Sequence, residues 1–293
     1  MTADGTARLR GDCERSIAWL DAMLARLAEP DAPAKSVLLT SLGASICDRV
    51  VASDGSRRLA HDAGARLNAR LARGDAAAWR ACDPLALAIG FALTPAETRT
   101  EPALAAARAR CAAAQRDGEP ATTRREVVAR SLGTPPTAAG EAAHAGETAH
   151  AGEALCAHVL HGSAEAVSAL CETIDAFGLH ARSAEERRLA GAAIAARAFA
   201  AFRSSSGFEL GTRLLRVLAG RGLDPIGAAE GLQVLRLQQR VDGSFGDLPP
   251  ISTQAGDISF VFHLPRTVSS LWAIHDALAP VSLVRVAMAA RAG

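Results

Sequence analysis

The stretch Ile17-Ala-Trp-Leu20-Asp-Ala-Met-Leu24-Ala-Arg-Leu27 sets large apolar side chains at spacings of three, four and three. A helix turns about 100° per residue, so these four fall on one face, whereas a strand would split them between two faces. The same stripe recurs at Leu39, Leu42, Ile46 and Val50, at Leu59, Ala63, Leu67 and Leu71, and at Val167, Leu170, Cys171, Ile174 and Phe177. Ser183-x-x-Glu186 has the spacing of a capping box, and Asp224-Pro225 reads as an N-cap followed by proline at the first helical position. Only Ile258-Ser-Phe-Val-Phe-His-Leu264 has β character. The expected fold is therefore all-α, a helical array of about a dozen helices. Near the C-terminus the pattern predicts a helix over 224–240, a turn over 241–246, a long loop, and a helix from Pro265 through Leu278.

Composition bounds the function. A chain of 293 residues with 49 % hydrophobic residues and a net charge of +1 can bury a core and is not a disordered segment. Its near-neutral balance and 4 % aromatics, with no tyrosine, leave no basic stacking surface for nucleic acid. Every long alanine stretch meets Arg, Glu or Gly before the roughly eighteen apolar residues of a membrane span accumulate. The first residues mix acid with base and lack an apolar run, so no signal peptide is expected. With six cysteines and no Cys-x-x-Cys pair, the expectation is a cytoplasmic protein with reduced, buried thiols. Lys35 is the only lysine, so any anion site here is built from guanidinium groups.

One segment breaks the helical pattern. Thr134-Pro-Pro-Thr-Ala-Ala-Gly140 leads into three near-copies of a hexad, at 140–145, 146–151 and 152–157. Six residues match no helical period, so 134–153 is expected to be a linker between helical parts 1–133 and 154–293, either as two domains or as halves of one. His144, His150, His158 and His161 match no structural zinc spacing. No Gly-rich phosphate loop, GxSxG elbow, HExxH or GxGxxG occurs, so neither a metal nor a cofactor is expected.

The run from Leu232 to Gln239 followed by Val241-Asp-Gly-Ser-Phe-Gly246, and the element Arg266-Thr-Val-Ser-Ser-Leu-Trp-Ala-Ile-His-Asp-Ala-Leu278, resemble the repeat of class II terpene cyclases and of protein prenyltransferase β subunits. The resemblance covers roughly a fifth of the chain, with a worn second copy at Gln115-Arg-Asp-Gly118. It implies an (α/α) toroid or an incomplete one, in which the glutamine caps the turn and the aromatic packs on a neighbouring helix pair. The cyclases' Asp-x-Asp-Asp motif is absent, and the prenyltransferase zinc ligands find no matching positions, so neither chemistry carries over.

Candidate chemistry concentrates at Asp257–Arg266. A histidine and an arginine flanking a helix that starts at Pro265 would combine imidazole, guanidinium and free N–H groups, which suits an anion. Asp257 and His263 are candidate catalytic bases and Arg266 a substrate clamp. His61 is a further candidate catalytic residue. Neighbours on a helix diverge, so His61-Asp62 and His275-Asp276 are not expected to act as dyads. Arg203 and Arg213 open an arginine-dense run through Arg240 that could hold an anionic substrate or dock an acidic carrier protein. The expected function is ring-forming or eliminating chemistry in bacterial specialised metabolism on an anionic or carrier-tethered small substrate, such as an intramolecular displacement closing an aziridine. An unlike protein subunit is a candidate partner. The alternative is a non-catalytic helical scaffold for another biosynthetic enzyme.

Overall fold

The computed structural model describes residues 3–28, 32–75, 77–116, 122–133, 149–150, 152–204, 206–246, 256–279 and 281–290; of 114–116, 122–126, 149–150 and 256–262 it describes the backbone alone. These residues form thirteen α-helices: α1 (Ala3–Arg26), α2 (Ala34–Val51), α3 (Asp54–Ala72), α4 (Pro84–Leu93), α5 (Glu101–Arg116), α6 (Thr122–Ser131), α7 (Glu153–His161), α8 (Ala164–Phe177), α9 (Ala184–Phe202), α10 (Phe208–Arg221), α11 (Pro225–Leu237), α12 (Gly256–Leu278) and α13 (Leu283–Ala289). The fold is an all-α helical array. Its β structure is slight: Ala149–His150 pairs in parallel with Leu179–His180, and Gln239 bridges Phe245. No single helix among the described residues is long and apolar enough to cross a membrane.

Local chemistry sets the helix starts. Ser53, Asp83, Ser163, Ser183 and Asp224 each accept a backbone N–H of the first turn, a type of cap worth about 1 kcal/mol. At Ser183 the box is shifted by one residue, because the Glu186 carboxylate accepts from the N–H of Arg182.

Packing then divides the interior into two apolar clusters. α2 is at the centre of the first, packed on α1, α3, α4 and α12, and Leu38, Leu42, Ile46, Leu59 and Leu67 fill it. α10 is at the centre of the second, packed on α8 and α9, with Val167, Ile174, Ile194, Leu214 and Val217 inside. α12 spans between them, touching both α2 and α10.

Three expectations for the C-terminal segment are corrected. α11 ends at Leu237, short of Arg240. The run 258–264 is helical rather than extended, and the helix begins at Gly256, leaving Pro265 in its interior. Burial of Leu264, Val268 and Leu271 in the first cluster outweighs the β preference of the apolar run.

The turn after α11 is locked onto α1. Gln239 Nε2 donates to the carbonyls of Asp12 (2.8 Å) and Gly243 (3.3 Å), and Ser16 Oγ donates to Gly243 O at 2.7 Å. Buried Asp12 accepts from Arg236 Nε at 2.7 Å and from Arg15 at 2.6 Å. Gly243 has φ +90°, and a Cβ there would be 2.2 Å from the Arg15 carbonyl oxygen. Phe245, which follows, is fully buried.

The first hexad and most of the second lie outside the described residues, whereas the third, 152–157, opens α7. His144, residues 134–148, and the Asp117-Gly118 end of the second repeat copy also lie outside them.

Candidate functional site

Where the two clusters meet, apolar packing gives way to charge. α8 contributes Glu172 and Asp175, α10 contributes Arg213, Arg216 and Arg221, and α12 contributes Trp272, His275 and Asp276. Asp175 falls on the apolar stripe of α8, one turn after Cys171, where a charged residue must find a partner.

Arg216 organises the cluster. Its Nη2 donates to Asp175 Oδ2 at 2.6 Å and its Nε faces Asp276 Oδ2 at 3.4 Å, while its guanidinium carbon lies 3.8 Å from the centroid of the Trp272 ring. Arg213 donates to Glu172 at 2.9 Å. Arg221 donates to the Asp175 backbone carbonyl. Asp276 Oδ1 accepts from the Leu283 N–H at 2.9 Å and lies 3.0 Å from His275 Nδ1, so this carboxylate also caps α13.

Burial weakens the central carboxyl as an acid. Asp175 is 3 % exposed, and loss of hydration pushes its pKa up to about 6. Arg216 opposes that rise and the carboxylate of Asp276 adds to it. Cys171 nearby is pushed up to about 12, mainly by burial, and stays a thiol.

Beside these groups is a cavity of about 70 Å³, room for a few waters or the ionised end of a small molecule. Asp175, Arg213, Arg216, Glu172, Cys171 and Trp272 line one side; Asp83, Leu85 and Ala86 at the start of α4, with Val127 of α6 and Val284 of α13, line the other. Arg213, with a third of its side chain exposed, is the more accessible of the two guanidiniums.

Of the candidate site residues read from the sequence, the structure places Arg213 at this cavity, together with Arg216 of the same arginine-dense run. Arg203 is exposed at the end of α9. The Asp257 side chain lies outside the described residues. His263 and Thr267 dock the turn after α11: Thr267 Oγ1 accepts from the Phe245 N–H at 2.9 Å, and His263 Nδ1 faces the Phe245 carbonyl at 3.5 Å. Burial holds the His263 pKa below its ordinary value. Arg266 lies with its guanidinium carbon 5.5 Å from the Phe208 ring centroid and its stem against Gly246. No helix starts at Pro265, so the free N–H groups expected beside His263 and Arg266 are absent.

Two further expectations change. His61 is half exposed on α3 with Nδ1 3.3 Å from Asp62, and His275 contacts Asp276, so both neighbouring pairs do meet. Nδ1 lies close to its own backbone, and a carboxylate one residue on can bend back to it. The arginine-dense run is also largely used inside the fold: Arg213, Arg216 and Arg236 pair with Glu172, Asp175 and Asp12, and Arg221 with the Asp175 carbonyl. No group of three His, Cys, Asp or Glu side chains able to hold a metal occurs among the described residues.

Neither protein-family models nor curated proteins nor solved structures yield a match to this chain.

Proposed function

We propose that the protein is a small-molecule enzyme, or an enzyme's catalytic subunit, that moves a proton at the cavity between the two helical clusters. Asp175 is its acid–base group, and Arg213 and Arg216 hold the anionic end of the substrate. One observation carries this reading. A carboxyl pushed up to about 6 borders a cavity that two guanidiniums also line. Perturbed acids in enclosed, mostly apolar pockets with a few converging polar groups mark sites of proton transfer.

The chemistry that suits such a site is ring closure or elimination. In an intramolecular displacement, a substrate amine attacks the carbon bearing a sulfate ester, the C–O bond breaks, and sulfate leaves. The amine proton passes to the Asp175 carboxylate, and the guanidiniums stabilise the departing anion. A carrier-tethered substrate fits a cavity of this size, since only its reacting end need enter, past Arg213.

The test is turnover of a panel of aminoalkyl sulfates and phosphates, followed by release of the inorganic anion. Asp175→Asn should lower kcat by about 10²-fold or more with little change in KM, and Arg213→Gln should mainly raise KM. Unchanged turnover in Asp175→Asn, or no member of the panel turned over or bound at the cavity, would remove the proposal.

A further inference from the structure

On the far side of the first cluster, α1 and α3 enclose an open groove of about 600 Å³ with Val37 of α2 at its base. Its volume lies in the range of small-molecule sites, roughly 300–1,000 Å³. Leu24, Leu27 and Val37 give it an apolar floor, and the small side chains of Ala65 and Ala69 keep the α3 wall low.

Along that wall Asp62 comes first and positive charge follows it. Arg66 and Arg70 on α3 and Arg73 just past its end recur at helical spacing and all border the groove. Arg66 is committed to the Leu24 carbonyl at the end of α1. Arg70 and Arg73 make no ion pair among the described residues, and Arg70 Nε is buried without a hydrogen-bond partner. Two guanidiniums without a carboxylate partner leave positive charge at the groove that an incoming anion can neutralise. Of the two acids bordering the groove, Asp62 is already beside His61, and Asp21 lies on α1.

We propose that this groove binds a small anionic amphiphile, a carboxylate or phosphate monoester on an unbranched apolar body. The head lies between Arg70 and Arg73 and the chain along Leu24, Leu27 and Val37. Neither part suffices alone: the floor offers no polar partner, and the arginines offer inorganic anions no enclosed seat. The site is separate from the Asp175 cavity and does not depend on it.

Calorimetry with octyl phosphate and octanoate below their micelle concentrations tests it, with inorganic phosphate and octanol as head-only and chain-only controls. Binding of the two amphiphiles, with both controls at least about tenfold weaker, is the expected result. Arg70→Gln/Arg73→Gln should weaken binding by about tenfold or more. Ala69→Phe, which fills the groove from an exposed position, should abolish it with all three arginines in place. Circular dichroism and urea unfolding check that both variants remain folded. Equal binding of inorganic phosphate, equal affinity in the arginine variant, or unimpaired binding in Ala69→Phe would each overturn the assignment.

Discussion

Arg216 lies across the face of Trp272, its guanidinium carbon 3.8 Å from the ring centroid, and from there reaches the carboxylates of Asp175 and Asp276. One cation therefore joins α8, α10 and α12 at the seam between two apolar clusters. Arg216→Met keeps much of the stem's volume but leaves two buried carboxylates without their shared partner. Breaking a buried pair from one side costs about 3–5 kcal/mol, and urea unfolding at pH 7 should show a loss of that order. Asp175→Asn in the same background should recover part of it. A loss below about 1 kcal/mol would mean that the cluster is hydrated and contributes little.

Asp175 makes stability depend on pH. Its folded pKa, about 6, lies above the unfolded value of about 3.9, so the native state holds the proton more tightly. That contribution is fully present below about pH 4, falls as pH rises toward 6, and is absent above it. The span is of order 3 kcal/mol, from about 1.4 kcal/mol per pKa unit. Subtracting the unfolding free energy of Asp175→Asn from that of the parent at pH 4, 5, 6 and 7 isolates the slope. A difference that does not change with pH would contradict it.

The thiols give a simpler check. Cys13, Cys47, Cys82, Cys111 and Cys171 are buried, and Cys156 is partly exposed. Burial pushes Cys82 up to about 11 and Cys111 up to about 12. An aromatic disulfide reagent at pH 8 should label Cys156 quickly and the other five only after unfolding. Rapid labelling of Cys13 or Cys171 would show that the helical clusters open readily.

Much of this fold can be read from the chain because helical burial is periodic. The stripes at 17–27, 39–50 and 59–71 all lie on buried faces, and the caps at Ser183 and Asp224 form where their spacing places them. The start of α12 was not readable, since 258–264 is apolar without a helical period and a proline follows. The seam was hidden for another reason: Asp175 and Asp276 are 41 and 60 residues from Arg216. A local signal did exist, in that Asp175 occupies an apolar stripe position, where a charged residue requires a partner. The arginines at 213 and 216 were noticeable as a cluster, while the carboxylates that engage them were not.

Gly243 tests the lock between α1 and the turn after α11. Gly243→Ala imposes a left-handed backbone on alanine and drives its Cβ against the Arg15 carbonyl. The expected loss is about 2 kcal/mol or more in urea unfolding, with tryptophan fluorescence reporting the transition. A loss under about 0.5 kcal/mol would mean the turn moves away from α1 without penalty.

The proposed chemistry turns on one proton. Carbon-13 NMR of protein labelled at the aspartate side-chain carboxyl, with Asp175→Asn used to assign the signal, follows the titration of Asp175 directly. The expected midpoint is near 6, raised further in Arg216→Met. A midpoint at or below the ordinary aspartate value of about 3.9 would show a permanently ionised structural ion pair, and the acid–base role assigned to Asp175 would fail.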